Sequence, residues 1–130
     1  MNTSLEKPAI YDLLHKVFGV DWEAGIAIAY GDIVHSKYPL APDIAAHEAV
    51  HIKQQKEIGT VEWWEKYIND PKFRLSQEVE AYQEQIAWLS ENVKDRNELY
   101  RKKRKIMNDI SSSMYGDMCT YYEAQELLTG

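Results

Sequence analysis

The sequence predicts an α+β fold, mostly helical, in which a β-hairpin packs beside a helix bearing an H-E-x-x-H motif and a following glutamate helix. Three observations predict it. Apolar residues recur with helical spacing along most of the chain, between capping residues. Two short β-prone runs flank the single pair Gly31-Asp32. The motif His47-Glu48-Ala49-Val50-His51 falls inside Pro42 to Gly59, a run that reads as one helix. At 130 residues the chain is expected to be a single domain, 1–130, large enough to bury a core without disulfides.

The elements follow in order. Pro8 occupies a first helical position, with Ile10, Leu13, Leu14, Val17 and Phe18 at helical spacing behind it and Gly19 as the stop. His15 sits at the edge of that apolar stripe and reads as structural. Ile26 to Tyr30 and Ile33 to Ser36 are the hairpin strands, joined by a primed turn at Gly31-Asp32. Such a hairpin has an edge to which an extended peptide could add as a further strand. Pro42 then opens the motif helix and Gly59 closes it. Thr60 is placed to cap a short helix carrying Trp63, Trp64, Tyr67 and Ile68, aromatics expected in the core or a cleft wall. Asn69-Asp70-Pro71 breaks it.

A long helix is expected from about Leu75 to Glu91, with Val79, Tyr82, Ile86 and Leu89 on one stripe. Asp95 to Glu98 and Thr120 to Glu123 have capping-box form. They open helices reaching about Ile110 and Leu128, with a loop around Ser111 to Gly116 between them. The run Arg101-Lys102-Lys103-Arg104-Lys105 reads first as a solvated face, with an acidic-partner or nucleic-acid patch as the alternative.

Composition narrows the function classes. A formal net charge of −6 argues against general affinity for nucleic acid or anionic membrane. The single cysteine, Cys119, has no partner for an internal disulfide, which suits a reducing compartment. Met1 to Phe18 shows no signal peptide, and no stretch reads as a membrane span. The expected location is therefore cytoplasmic, and a protein acting outside the cell that made it would leave by lysis, by a dedicated machine or as part of a particle.

The chemistry centres on the motif. Residues four apart lie about 40° apart in helical projection and roughly 6 Å apart at Cβ, so His47 and His51 can reach one metal ion. Glu48 projects beside them, where its carboxylate can act as general base toward a metal-bound water. Catalytic zinc takes three protein ligands, so a third is needed. Downstream, Glu78 and Glu80 project about 200° apart, and only one can face the motif. Glu78 is the better placed. Ala81, on its face, would let two helices approach closely, and Tyr82 one turn on would sit beside the site. The Tyr82 ring could pack there, or its hydroxyl could bond a ligating histidine. His35, Tyr67 and Tyr82 are three candidates for stabilising an oxyanion.

H-E-x-x-H followed by a later helix bearing E-x-x-A resembles the gluzincin class of zinc metallopeptidases, and in particular the small single-domain minigluzincins. The chain also resembles small metallopeptidase-like proteins of phages and prophages. Those likenesses lie in Tyr30-Gly31-Asp32, in Ala45 to Gln55, and in Asp70-Pro71-Lys72-Phe73-Arg74 running on to Glu78-Val79-Glu80-Ala81-Tyr82. One departure is clear: Tyr82 stands where many gluzincins carry Asp or Asn. The resemblance implies a small zincin-like domain with zinc held by His47, His51 and Glu78 and with Glu48 as general base. It implies a zinc-dependent metallopeptidase acting on a peptide or protein substrate. Two rival functions are a zinc-stabilised phage structural or assembly protein with little turnover, docked to a virion or tail partner, and a partner-dependent repressor-cleaving protease. A shared look of the site does not by itself separate these.

Overall fold

The computed structural model describes residues 1–129. Six helices and a small sheet make an α+β domain, mostly helical, as the sequence patterning predicts. The strands are β1 (Asn2–Ser4), β2 (Ala27–Tyr30) and β3 (Ile33–Ser36). The hairpin forms in the expected register, Tyr30 opposite Ile33 across the two-residue turn. Gly31 takes φ +64°, whereas Asp32 keeps a negative φ, which is the pattern of the type II′ turn.

β1 was not expected. Asn2-Thr3-Ser4 has no apolar alternation to announce a strand; it is extended because it pairs with β3, in parallel, Thr3 opposite Val34. The sheet order is β1-β3-β2. β3 is thus covered on both edges, and β2 keeps one edge free for the rest of the fold.

The helices are α1 (Tyr11–Phe18), α2 (Pro42–Ile58), α3 (Thr60–Asn69), α4 (Pro71–Asn92), α5 (Arg96–Ile110) and α6 (Tyr121–Thr129). α1 starts three residues later than the proline signal suggests. Pro8 instead accepts from the Tyr11 amide in a preceding turn, and Ile10 offers no side-chain cap. Thr60 does not cap α3: it is already helical, and Gly59, at φ +108°, turns the chain between the two helices. α4 starts four residues before Leu75. Asp70 Oδ1 accepts from the amides of Lys72 and Phe73, and Pro71 takes the first helical position, where its missing N–H costs nothing. One Asp-Pro pair therefore ends α3 and begins α4. Both capping boxes engage the backbone. Asp95 Oδ1 accepts from the amides of Asn97 and Glu98, and Thr120 and Glu123 bond each other's amides reciprocally.

α2 packs along α4, with β2 against α2 on one side and α5 and α6 against α4 on the other. Two apolar clusters flank that helix pair. One contains Leu14, Trp22, Ile28, Trp63, Trp64 and Tyr67; the other contains Leu89, Ile106, Met107, Ile110 and Leu128. Between them the α2–α4 interface is polar. His47, Glu48, His51, Gln54 and Gln55 of α2 are all buried, as are Arg74, Glu78 and Gln85 of α4. Both sets recur at helical spacing, so each helix turns a polar stripe inward where an apolar one is the rule. Burying that many polar groups is costly unless each finds a partner. Among the described residues no helix is long and apolar enough to cross a membrane.

Candidate metal centre

The inward stripe of α2 places His47 Nε2 and His51 Nε2 3.1 Å apart. Glu78, on the opposing stripe of α4, brings its carboxylate to 3.2 Å from each of them. Ala81 is wholly buried, and its small side chain lets the two helices come this close. Glu80 and Glu84 face solvent. Tetrahedral zinc with bonds of 2.0–2.2 Å has neighbouring ligand atoms about 3.3–3.6 Å apart, a little wider than the 3.1 and 3.2 Å spacings here. His47, His51 and Glu78 form a buried group able to hold a metal ion.

The surroundings fix how these groups present themselves. His51 Nδ1 lies 2.8 Å from Gln54 Oε1. The Gln54 amide nitrogen donates to the Gln77 carbonyl, so its oxygen must be the acceptor and His51 Nδ1 the donor. That leaves Nε2 of a neutral His51 with its lone pair toward Glu78, as a metal ligand requires. Tyr67 donates to Glu78 Oε2 at 2.6 Å. Replacing Tyr67 with Phe removes that bond and nothing of the ring. Metal affinity is then expected to fall about tenfold, measured by competition with a chelating dye.

Charge in the metal-free site follows from the same contacts. Burial opposes protonation of His51, but the Glu78 carboxylate facing and bonding it prevails and pushes His51 up to about 9. Burial likewise opposes ionisation of Glu78, yet His51 and His47 together hold it well below the usual carboxylate range. Glu48 is raised, chiefly by its burial, with the two imidazoles pulling against the shift.

The centre opens onto a cavity of about 600 Å³. Its walls include β2, the Tyr38–Ala41 loop, Trp63 and Trp64 of α3, Tyr82 and Gln85 of α4, the inner face of α5, and Met114 and Tyr115. Four side-chain polar atoms are buried without a hydrogen-bond partner among the described residues: His47 Nδ1, Glu48 Oε2, Trp64 Nε1 and Gln85 Oε1. All four belong to residues lining this cavity. The unpartnered carboxylate oxygen of Glu48, on the same cavity wall as the three converging ligand atoms, fits a site able to hold an ion. No family model, curated protein or solved structure matches the chain.

The three oxyanion candidates fare differently. His35 lies away from the cavity: β3 points it toward the amino-terminal segment, and its Nδ1 bonds the Glu6 carbonyl at 2.8 Å. The unexpected pairing of β1 with β3 draws that segment against it. Tyr67 lines the cavity, but its hydroxyl is spent on Glu78. The Tyr82 ring packs edge-on against His47 at 4.3 Å, while its hydroxyl bonds Tyr115 at 2.7 Å rather than a histidine. His15 is structural, bonding the Val20 carbonyl through Nδ1.

Three contributors escaped the sequence reading. Gln54 has just been described; its place one turn after His51 was the signal. Tyr115 reaches the site from a 3₁₀ turn, Ser113–Tyr115, within the segment read only as a loop. Arg74 is buried one turn before Glu78 and donates to the carbonyls of Tyr67 and Tyr115, both at 2.8 Å. It thereby braces two tyrosines that approach the site from distant parts of the chain. Gly116 lets this happen: at φ +80° it is left-handed, and a Cβ there would lie 3.0 Å from the Arg74 guanidinium.

Proposed function

We propose that the chain is a zinc-dependent metallopeptidase of gluzincin type, hydrolysing peptide bonds with Glu48 as general base. The observation that carries this reading is the free, buried Glu48 oxygen next to the His47–His51–Glu78 group on the wall of an open cavity. Zinc, when bound, supplies Lewis acidity toward a carbonyl and brings the pKa of a coordinated water to about 7. His47, His51 and Glu78 would hold it. Gln54 and Tyr67 keep His51 and Glu78 in the orientation that holding requires. Glu48, with its proton affinity raised by burial, takes a proton from the attacking water and delivers it to the departing amine.

The free edge of β2 suits an extended substrate. Gln55 occupies one end of it, accepting from the Gly31 amide and donating to the Ala29 carbonyl. These bonds fasten the hairpin to α2, and the rest of the strand, around Ala27 and Ile28, runs along the cavity. A peptide adding there would be held by main-chain bonds whatever its sequence. Met114 and Tyr115 wall the cavity without filling it, which favours turnover over the assembly-protein reading.

The test joins metal content to cleavage. One zinc per chain is expected in the purified protein and none in His47→Ala. The zinc-loaded chain is expected to cut members of a proteome-derived peptide library, with activity removed by chelation and restored by zinc. Zinc bound without any cleavage would point instead to the zinc-stabilised assembly protein. Cleavage only in the presence of a second protein would point to the partner-dependent protease.

A further inference from the structure

The cavity has a charged rim that the proposed chemistry does not use. α5 carries six of the fifteen Lys and Arg residues and only two of the twenty-one acidic ones, a local balance of +4 on a chain of net −6. Five of its cations are consecutive, Arg101 to Lys105, so they cannot all face one way. Lys102 and Lys105, three apart, turn the same side as Ile106 and Asp109 and line the metal cavity. Those two lysines also line a second, shallower groove, completed by Arg101 and Glu98. The two concavities therefore meet at Lys102 and Lys105, and a track of positive charge leads out of the cavity across α5.

Two of the three cations along this track are not spent on the fold. Lys105 pairs with Asp109 at 2.8 Å. Arg101 and Lys102 are exposed and have no carboxylate within ion-pairing distance among the described residues. The position matters as much as the charge. β2 flanks the α2–α4 pair on one side and α5 on the other, so a chain lying along β2 and crossing the metal centre would meet α5 as it leaves. A polypeptide arriving there with carboxylates would meet the unpaired Lys102 ammonium and Arg101 guanidinium along a shallow groove, where each pair contributes modestly and several together give a preference.

We infer that the substrate is acidic on one side of the bond to be cut, and that Arg101, Lys102 and Lys105 select it by binding Asp or Glu side chains that leave the cavity over α5. The inference rests on the metallopeptidase reading and narrows it to a class of substrate.

Binding of peptide pools to the zinc-loaded Glu48→Gln protein provides the test, with fluorescence anisotropy as the readout. Three pools share one randomised core and end in Glu, Gln or Lys triplets. The Glu pool is expected to bind about three- to tenfold more tightly than the Gln pool, and the Lys pool more weakly than both. The difference should shrink as salt is raised. Arg101→Glu/Lys102→Glu in the same background, checked for an unchanged melting temperature, is expected to abolish or invert the order. Equal binding of all three pools overturns the inference and leaves the metallopeptidase reading standing. Tighter binding of a single-stranded DNA of matched charge than of the Glu pool also overturns it, in favour of a nucleic-acid patch. If no pool binds and the unsubstituted zinc-loaded chain cuts no library peptide, both readings fall together.

Discussion

Glu48→Gln is expected to reduce peptide hydrolysis by about 10²- to 10⁴-fold in kcat, with one zinc still bound per chain and KM changed by only a few-fold. Glutamine keeps the volume and shape of the buried glutamate, so the cavity wall and the three ligand atoms stay in place. What is lost is an oxygen able to hold a proton. In the native chain that oxygen, Glu48 Oε2, has no hydrogen-bond partner among the described residues although it is buried, an arrangement that costs stability and serves no packing purpose. Removing the charge should therefore leave the melting temperature of the metal-free protein equal or higher. Lower activity with a raised melting temperature is the signature of a group kept for chemistry. Full activity in the zinc-loaded variant would remove Glu48 from the mechanism altogether.

The sequence carried the core of this site because its spacing is local. Two histidines and a glutamate within one helical turn have only one relative arrangement, and Pro42 and Gly59 marked the helix that holds them. The choice of Glu78 over Glu80 was also open to reasoning, since period 3.6 sends them to opposite faces and only Glu78 shares a face with Ala81. What the sequence could not show depends on pairings between distant segments. Asn2-Thr3-Ser4 is a strand only because β3 lies beside it, and the segment that follows it supplies the Glu6 carbonyl that His35 bonds. Tyr115 reaches the site because Arg74, forty-one residues earlier, grips its carbonyl.

The same limit applies to α2 as a whole. Its buried face is spaced like an apolar stripe but built from His, Glu and Gln, and a reading keyed to hydrophobic periodicity passes over it. Its meaning appears only with the matching polar stripe of α4 opposite. Neither stripe would be stable against an apolar partner, so the two helices specify each other. The buried His47–His51–Glu78 group is thus part of what sets the helix register, and the residues able to hold a metal ion also join the two helices.

That dual duty makes proton competition the sharpest handle on the metal-free site. Without metal, His51 keeps its proton up to about pH 9 because Glu78 faces it, and a ligating Nε2 must give that proton up. Zinc binding at pH 7 is accordingly expected to release about one proton from His51. Apparent affinity should climb about tenfold per pH unit, or about 100-fold between pH 6 and 8, and level off near 9. Calorimetry in buffers of different ionisation enthalpy counts the proton directly. Stability of the metal-free chain follows with a definite sign. The folded value of His51 lies above its ordinary 6.5, so its contribution is complete below about pH 6.5 and lost as pH rises through 9. That of Glu78 lies below its ordinary 4.5, so its contribution is present above about pH 4.5 and lost as pH falls. The metal-free melting temperature should therefore peak between about pH 4.5 and 6.5 and decline toward 9, and the zinc-loaded chain should lack the alkaline decline. A metal affinity flat from pH 6 to 8, with no proton released, would mean that His51 is already neutral and that Glu78 does not face it.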